Sequence, residues 1–348
     1  MDFSFFADNN FPVKTKEIDI LNVILIVVSL TMAFNIPFEL FLFSYSVLGP
    51  LHYLTEINWL KEKKYFIKET KWIGLFLLLA FLLTLPVLMK FDFLADFYAI
   101  PSVKKVTDFL TNSADEIIMI GLLLAIGLIY FKNKLHLALF LIPSIALGLL
   151  ALHHCPNFAL ALSIFVPTLI HVYLFTLLFM IYGTINTKST PGIIAIVLLV
   201  LTPFIIAASK INPTDYIPLK ESTISSFNMT SFGALNFGVS KFLFHKVGTD
   251  FNFLSSMGIK IQIFIAFAYT YHYLNWFSKT SIIGWGKSIS KRKIITILCI
   301  WILSIALYLY NFKVGFLTLL FLSLIHVFLE FPLNMTSIKG IAMKMKSR

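Results

Sequence analysis

The chain has 348 residues, of which 58% are hydrophobic and 13% are charged, and its mean hydropathy is +0.87. Soluble domains carry about 25% charged residues, so this composition excludes a water-soluble fold and indicates one integral membrane domain over residues 1–348. The formal net charge is +11, and the basic residues lie almost wholly between apolar runs. Basic residues in the loops of a membrane protein set its orientation and contact anionic lipid headgroups. The positive charge is therefore expected to face the lipid bilayer and not a nucleic acid.

Ten apolar runs approach the length of about 20 residues that crosses a bilayer at about 1.5 Å per residue. In chain order these runs are 18–34, 38–60, 72–89, 116–131, 136–153, 158–184, 191–208, 258–278, 293–310 and 312–332. The fourth and fifth are short and closely joined, so nine or eleven crossings also fit. The sequence therefore predicts an all-α fold, a polytopic transmembrane helix bundle of about ten spans.

The positions of Lys and Arg predict the orientation of these helices, because basic residues of short loops collect on the cytoplasmic side. With ten spans and the N-terminus inside, most of the 28 basic residues fall on that side. Both termini are therefore expected in the cytoplasm, as in a bacterial inner-membrane protein. Residues 209–257 then form the one large extracytoplasmic loop. Its part from Phe227 to Phe244 is expected as an interfacial or re-entrant helix, or as an ordered surface loop.

Four of the eight histidines lie inside predicted spans, where ionisable side chains are costly and usually face the bundle interior. They are His52, His171, His272 and His326, on four helices that all run in the same direction and place them at comparable depth. Four imidazoles in one layer can share a metal ion, and the lack of a nearby thiolate argues against iron–sulfur clusters and structural zinc. The alternative is that each histidine donates a hydrogen bond between helices.

Two glutamates each follow one of these histidines by four residues and so share its helix face. They are Glu56 and Glu330. Each is predicted to be either a metal ligand or the acceptor that fixes the tautomer of a ligating histidine. The alternative interpretation is that they mark the cytoplasmic ends of their helices, since Lys61 follows the first and Pro332 the second.

The remaining histidines and two tryptophans are expected near the membrane surface. Exposure accounts for four histidines, namely His136, His153, His154 and His245. The adjacent pair His153 and His154 is a minor candidate for an outward metal site. Trp276 and Trp285 are expected in an interfacial aromatic belt. The alternative for Trp276 is that it lines a substrate cavity or hydrogen-bonds to ligands, together with the other polar and aromatic residues around His272, which are Tyr269, Tyr271, Tyr273 and Asn275.

Three motifs around the intramembrane histidines resemble the Brp/Blh-type membrane β-carotene oxygenases, which cleave carotene to retinal with iron held by histidines from different helices. Gly49-Pro50-Leu51-His52 with Glu56 is similar to a Pro-His motif that has an acid four residues later, displaced here by one residue. Ile170-His171 is similar to a mid-membrane Ile-His pair. His326 with Glu330 is similar to the last His-plus-acid motif of the family.

Two positions depart from the family pattern. Its third motif has two histidines four residues apart, whereas here His272 is followed at that spacing by Trp276. His171 also lacks the acid that follows the second histidine of the family. The resemblance therefore implies the class of chemistry of the family more strongly than it implies carotene as the substrate.

The resemblance implies a mononuclear Fe(II) centre that activates O2, bound by His52, His171, His272 and His326. It further implies a lipid-like or carotenoid substrate that enters laterally from the bilayer into an apolar tunnel. Three other functions are compatible with the sequence. They are a secondary transporter or ion-coupled permease that uses intramembrane His and Glu, a bis-His haem protein, and a non-catalytic assembly factor.

Overall fold

The computed structural model describes residues 11–63, 70–217, 219–230, 232–244, 251–280 and 289–346, which are helical and contain no β-strand. The first half of the chain forms α1 (Phe11–Asn35), α2 (Pro37–Phe43), the π-helix π1 (Ser44–Leu48), α3 (Gly49–Lys63), α4 (Thr70–Leu88), α5 (Ala95–Tyr98), α6 (Pro101–Asn112), α7 (Ala114–Tyr130) and α8 (Lys134–His154). The second half forms α9 (Pro156–Leu160), the π-helix π2 (Ala161–Phe175), α10 (Thr176–Thr187), α11 (Thr190–Ala208), α12 (Glu221–Thr230), α13 (Gly233–Phe244), α14 (Ser256–Lys279), α15 (Lys291–Tyr310) and α16 (Phe312–Lys346).

Among the described residues, six helices are long and apolar enough to cross a membrane. They are Thr15–Asn35, Lys134–His154, Ile164–Thr187, Thr190–Ala208, Lys291–Tyr310 and Phe312–Lys346. Two bent pairs raise the number to eight: Trp72–Leu88 with Asp92–Tyr98, bent by 92°, and Pro101–Asn112 with Ala114–Tyr130, bent by 56°. The predicted all-α bundle of apolar helices is thus confirmed, and eight of its ten predicted spans coincide with these candidates.

The other two predicted spans, 38–60 and 258–278, are helical but are not among the apolar candidates. The first is divided into α2, π1 and α3, and the second is α14, which carries Gln262, His272 and Asn275 in its interior. Most residues of α14 from Gly258 to Trp276 are buried by neighbouring helices. A helix that faces protein rather than lipid can carry polar side chains, which explains its low hydropathy.

Two helices organise the packing. The central helix α14 contacts α1, α2, π1 and π2, while the long helix α16 contacts α3, α4, α7 and α10. The buried side chains of α14 lie mostly in one apolar cluster, whereas α16 contributes Leu319 to that cluster and Phe328 to a second one. π2 also contributes to both, with Val172 in the first and Val166 in the second. The four elements that carry the intramembrane histidines therefore meet where the two clusters join.

Two π-helical segments interrupt the regular helices beside this junction. They are π1 and the fifteen-residue π2, which contains Pro167 and His171. Proline lacks a backbone N–H and prevents regular α-helical hydrogen bonding at its own position. The wider turn of a π-helix shifts the direction of the side chains that follow, and such segments are frequent at functional sites.

The segment 209–257 is more ordered than a loop. It contains the two helices α12 and α13, which pack on the bundle, while residues 218, 231 and 245–250 lie outside the described part. Phe227 of α12 contacts the ring of Phe38 with centroids 5.3 Å apart, and Asn236 of α13 donates a hydrogen bond of 3.0 Å to the Gln262 side chain. The extracytoplasmic side assigned to this segment stays a prediction.

The helix of the last predicted span, 312–332, does not end where the apolar run ends. Helix α16 passes through Pro332 and continues to Lys346, giving 35 residues. Leu333, Asn334 and Ser337 beyond the proline are buried, so packing against neighbouring helices holds this part together. One proline removes a single backbone hydrogen bond, and that loss is tolerated in a helix with many tertiary contacts.

The contact between α7 and α16 yields a stability prediction. A Cβ atom on Gly121 would lie 2.2 Å from Cε1 of Phe328, a ring that is only 2% exposed and also packs against Phe76 and Phe331. We expect Gly121→Ala to destabilise the protein by about 1–3 kcal/mol because the ring has no free space to move into. Thermal unfolding in detergent measures the effect.

A matched control is Gly74→Ala in α4, where an added Cβ atom meets nothing within 4 Å. This substitution should be neutral or stabilising by up to about 1 kcal/mol, since alanine has the higher helix propensity. Equal unfolding temperatures for the two variants would contradict the close packing of α7 on α16.

Candidate metal centre

The structure brings together the four histidines that the sequence singles out. His52 lies on α3, His171 on π2, His272 on α14 and His326 on α16, and all are buried, with 1%, 1%, 6% and 2% exposure. The Nε2 atoms of His171 and His326 are 3.0 Å apart, and those of His272 and His52 are 3.1 Å apart. The expected convergence of these side chains from four separate elements is therefore observed.

The spacing of these nitrogen atoms has the dimensions of a coordination shell. With bonds of about 2.1 Å to imidazole nitrogen, two ligands at right angles lie about 3.0 Å apart, whereas tetrahedral ligands lie about 3.4 Å apart. Two overlapping groups have all their ligand atoms within 4.8 Å of one another: His52, His272 and His326, and His171, His326 and Glu330. The buried cluster can thus hold a metal ion, with His326 common to both groups.

Neighbouring groups determine which nitrogen of two histidines carries the proton. The Thr176 hydroxyl donates to the Val172 carbonyl at 2.9 Å, so its oxygen accepts a proton from Nδ1 of His272 at 2.8 Å. Nδ1 of His326 donates to the backbone carbonyl of Ser323, which can only accept. In the neutral imidazole the other nitrogen then has a free lone pair. Nε2 of His272 and Nε2 of His326 therefore present lone pairs to the centre.

Glu330 has the same effect on His171. Its Oε2 lies 3.1 Å from Nδ1 of His171, within ion-pair distance although not aligned as a hydrogen bond. A carboxylate beside Nδ1 favours the tautomer whose Nε2 is free to bind a metal. Nε2 of His171 lies 3.0 Å from Nε2 of His326, and the donor and acceptor roles depend on the tautomer of His171. In the tautomer that Glu330 favours, the two lone pairs face each other, and a cation between them replaces their repulsion by attraction.

Glu56 contacts the cluster at His52, on the Nε2 side of that ring. Its Oε2 lies 3.1 Å from Nε2 of His52, which also faces His272. Nδ1 of His52 is buried and has no hydrogen-bond partner. Glu330, in contrast, contacts the Nδ1 side of His171 and also has a carboxylate oxygen within 4.8 Å of a ligand nitrogen of His326.

The interpretation of the two glutamates as markers of helix ends is wrong. Glu56 is 1% exposed and α3 continues to Lys63, while Glu330 is 8% exposed and α16 continues to Lys346. Burying a carboxylate without a compensating charge is costly. Two buried carboxylates together carry the charge that one divalent cation neutralises.

Trp276 belongs to this centre and not to an interfacial belt. It is 9% exposed, its Nε1 donates to the Thr55 hydroxyl at 3.0 Å, and its ring centroid is 5.5 Å from that of His52. The prediction was wrong because α3 and α14 enclose this end of the indole, and Thr55 replaces water as the partner of its N–H. Trp285 lies outside the described residues.

Sequence reasoning missed two side chains that hold the histidines in place. Tyr53 stacks on His326 with ring centroids 4.1 Å apart, and its hydroxyl bonds that of Tyr273 at 2.9 Å. Thr176 fixes His272. The only signals were the position of Tyr53 directly after His52 and a polar residue soon after His171 in an apolar run.

The remaining histidines do not join the cluster. His136, His153 and His154 are exposed, and His245 lies outside the described residues. The rings of His153 and His154 are 4.8 Å apart. Within the described part of the chain this pair belongs to no group of three metal-binding side chains.

A small cavity of about 30 Å³ adjoins the centre and extends toward Lys279. Its polar lining includes Glu56, Glu330 and Asn275, whose Oδ1 has no hydrogen-bond partner. The space suits about one water molecule, which needs some 10–15 Å³ and several polar partners. A lipid-like molecule does not fit into this cavity without movement of its walls.

Comparison of the chain with protein-family models, with curated proteins and with solved structures gives no match in any of the three. The function of the centre therefore rests on its own geometry and chemistry.

The role of Thr176 can be tested with Co²⁺ as an optical probe of the centre. We expect Thr176→Val to weaken Co²⁺ binding about 10–100-fold, because Nδ1 of His272 loses the acceptor that fixes its tautomer. Thr176→Ser should restore binding. Titration of the purified protein against a competing chelator gives the affinities.

Thr202→Val is the matched control, since Thr202 is also buried and, among the described residues, its hydroxyl bonds the Leu198 carbonyl of its own helix and no histidine. If Thr176→Val and Thr202→Val bind Co²⁺ equally well, the hydroxyl does not orient His272.

Proposed function

We propose that the chain is a membrane-embedded metalloenzyme, an iron-dependent oxygenase that acts on a hydrophobic, lipid-like substrate. Its Fe(II) would be held by His52, His171, His272 and His326. The observation that supports the proposal is the convergence of buried Nε2 atoms, of which those of His171 and His326 lie 3.0 Å apart. With the protons on Nδ1, these atoms turn their lone pairs toward each other, an arrangement that a cation between them makes favourable.

The choice of iron rests on the ligand set and its angles. Imidazole binds Fe, Zn and Cu, and carboxylates favour harder ions, whereas the described cluster offers no thiolate. The spacings of 3.0 and 3.1 Å fit ligands at right angles better than the tetrahedral arrangement preferred by zinc. The resemblance to the Brp/Blh-type oxygenases points to the same metal. When bound, Fe(II) with an open position supplies the activation of O2.

The protein's own residues orient the ligands and limit the access of water to the centre. Thr176, Glu330 and the Ser323 carbonyl hold the Nδ1 sides of three histidines. Tyr53 covers the face of His326, and Trp276 lies edge-on to His52. Excluding water in this way favours attack on a hydrocarbon over competing reactions.

A lipid-like substrate would approach the centre from the bilayer. The apolar part of the small cavity is formed by Phe175, Phe179 and Leu333. These side chains would have to move to admit a substrate, since the cavity holds only about one water molecule as it stands.

We also propose the membrane orientation that the basic residues indicate. Both termini would lie in the cytoplasm of a bacterial cell, with the segment 209–257 on the opposite side of the inner membrane. Lys339 and Lys344 near the end of α16 and Lys279 at the end of α14 would then face the cytoplasmic side.

A haem centre fits this geometry poorly. Two axial imidazoles on one haem iron have their Nε2 atoms about 4 Å apart across the porphyrin plane, given bonds of about 2.0 Å. Here that distance is 3.0 Å. The ring centroids are 4.7 Å apart for His52 and His272, 4.9 Å for His171 and His326, and 5.0 Å for His171 and His272. The packed imidazoles leave no space for a macrocycle.

Metal analysis combined with an optical spectrum tests the proposal. Protein purified without added metal should contain close to one iron per chain and show no Soret band. The double variant His171→Ala/His326→Ala should lose the iron, because it removes the facing pair of ligands. Oxygen consumption with hydrophobic polyenes or unsaturated lipids should depend on the same iron.

The matched control is the double variant His136→Ala/His153→Ala, which removes two exposed histidines and should keep the iron. If the analysis finds a different metal that is lost in the double variant, the proposal of iron is wrong and that metal takes its place. A Soret band would indicate a haem protein. Absence of metal from every sample, together with substrate-dependent flux in vesicles, would indicate a transporter.

A further inference from the structure

A second cavity lies at the end of α14 that is remote from the histidines. Its volume is about 300 Å³, and α2, α12, α13 and the residues just before α14 enclose it. We call it the outer cavity and define it by Phe38, Thr223, Phe227, Asn228, Ala234 and Phe253. Concave sites of this size with mostly apolar walls and a few polar groups are typical of small-molecule binding.

Aromatic packing forms the walls of the outer cavity. Phe38 is 3% exposed and meets Phe227 edge to face, with centroids 5.3 Å apart. On the opposite wall, a Cβ atom at Gly233 would lie 2.4 Å from Cζ of Phe253, so only glycine allows α13 to approach this ring. The walls are therefore held by specific contacts between three helices and the chain before α14.

The polar groups of the outer cavity favour a ligand that donates a hydrogen bond. Thr223 is 5% exposed, and its hydroxyl donates to Oε1 of Glu39 at 3.4 Å. Because the proton is used in that bond, the lone pairs of the Thr223 oxygen remain as acceptors. Asn228 at the exposed rim offers both a donor and an acceptor. An alcohol satisfies both residues, whereas a ketone or ester cannot donate to Thr223.

Exposed apolar side chains lie beside the mouth of this cavity. Helices α12 and α13 are too short to cross a bilayer, and they expose the apolar side chains of Ile224, Met229, Phe237 and Leu243. We expect short helices with an exposed apolar face beside a membrane bundle to lie in the interface. Ile224 is 44% exposed and also lines the cavity, so in that position the mouth would adjoin the lipid.

We propose that the outer cavity binds an apolar alcohol dissolved in the membrane. The hydroxyl of the ligand bonds the Thr223 oxygen, and its apolar body packs between Phe38, Phe227 and Phe253. The helical path from Phe38 to His52 is about 21 Å long at 1.5 Å per residue. The site is therefore separate from the metal centre and does not rest on the proposed oxygenase function.

Binding of tritiated decanol and decane to the full-length protein in nanodiscs tests this inference. Wild-type protein should show saturable binding of decanol above that of empty nanodiscs. Ala234→Phe should abolish it by filling the mouth of the cavity. Thr223→Val should weaken decanol binding about fivefold, the usual value of one neutral hydrogen bond, and leave decane binding unchanged.

Two control variants keep the outcomes interpretable. Ala208→Phe adds the same ring at an exposed position of α11, and Thr296→Val removes an exposed hydroxyl on α15. Both should bind decanol as the wild type does, and thermal unfolding verifies that all variants are folded. The inference is overturned if wild-type protein shows no saturable decanol binding, or if Ala234→Phe and Ala208→Phe bind alike. Equal weakening of decanol and decane by Thr223→Val would refute the hydroxyl contact.

Discussion

The packing of the helix bundle depends on the electrostatics of six buried groups, which are four imidazoles and two carboxylates. The core around them is mostly apolar. His52, His171, His272 and His326 come from four different elements, so no local sequence preference brings them together. In a medium of low dielectric constant, an unpaired polar atom destabilises the folded protein, and this penalty is offset only when the atom has a partner. α3, π2, α14 and α16 meet at the junction of the two apolar clusters. Their packing is therefore stable only when the polar and charged atoms of the four histidines and two glutamates have partners.

Irregular helix geometry makes this convergence possible. The fifteen-residue π2 carries His171, and π1 directly precedes α3 with His52. The inner helix α14 tolerates Gln262, His272 and Asn275 because other helices surround it. The centre is thus built from those parts of the chain that depart most from the regular apolar helix expected of a membrane span.

Much of this organisation follows from the sequence, and the exceptions have physical reasons. Apolar runs predicted the helices, and the depth of the four histidines predicted that they meet, since ionisable groups in hydrocarbon turn toward the bundle interior. The spacing of Glu56 and Glu330 after a histidine predicted a shared helix face, yet Glu330 contacts His171 of another helix. Sequence spacing describes neighbours on one helix only. The same limit explains the error at Trp276 and the missed role of Thr176, both of which depend on contacts between helices.

The length of α16 has a consequence for how the centre exchanges molecules with its surroundings. From Phe312, where the helix begins, to His326 the chain rises about 21 Å, and the hydrocarbon layer is about 30 Å thick. If α16 enters the layer at Phe312, as in the orientation proposed above, the histidines would sit past the middle of the layer, on the side toward which α16 ends at Lys346 and α14 ends at Lys279. Apolar reactants would arrive sideways through the thick hydrocarbon portion, while water and polar products would have the shorter route along Asn275 and Lys279. The two routes would differ in direction, and only the route of the apolar reactants would require Phe175, Phe179 and Leu333 to move.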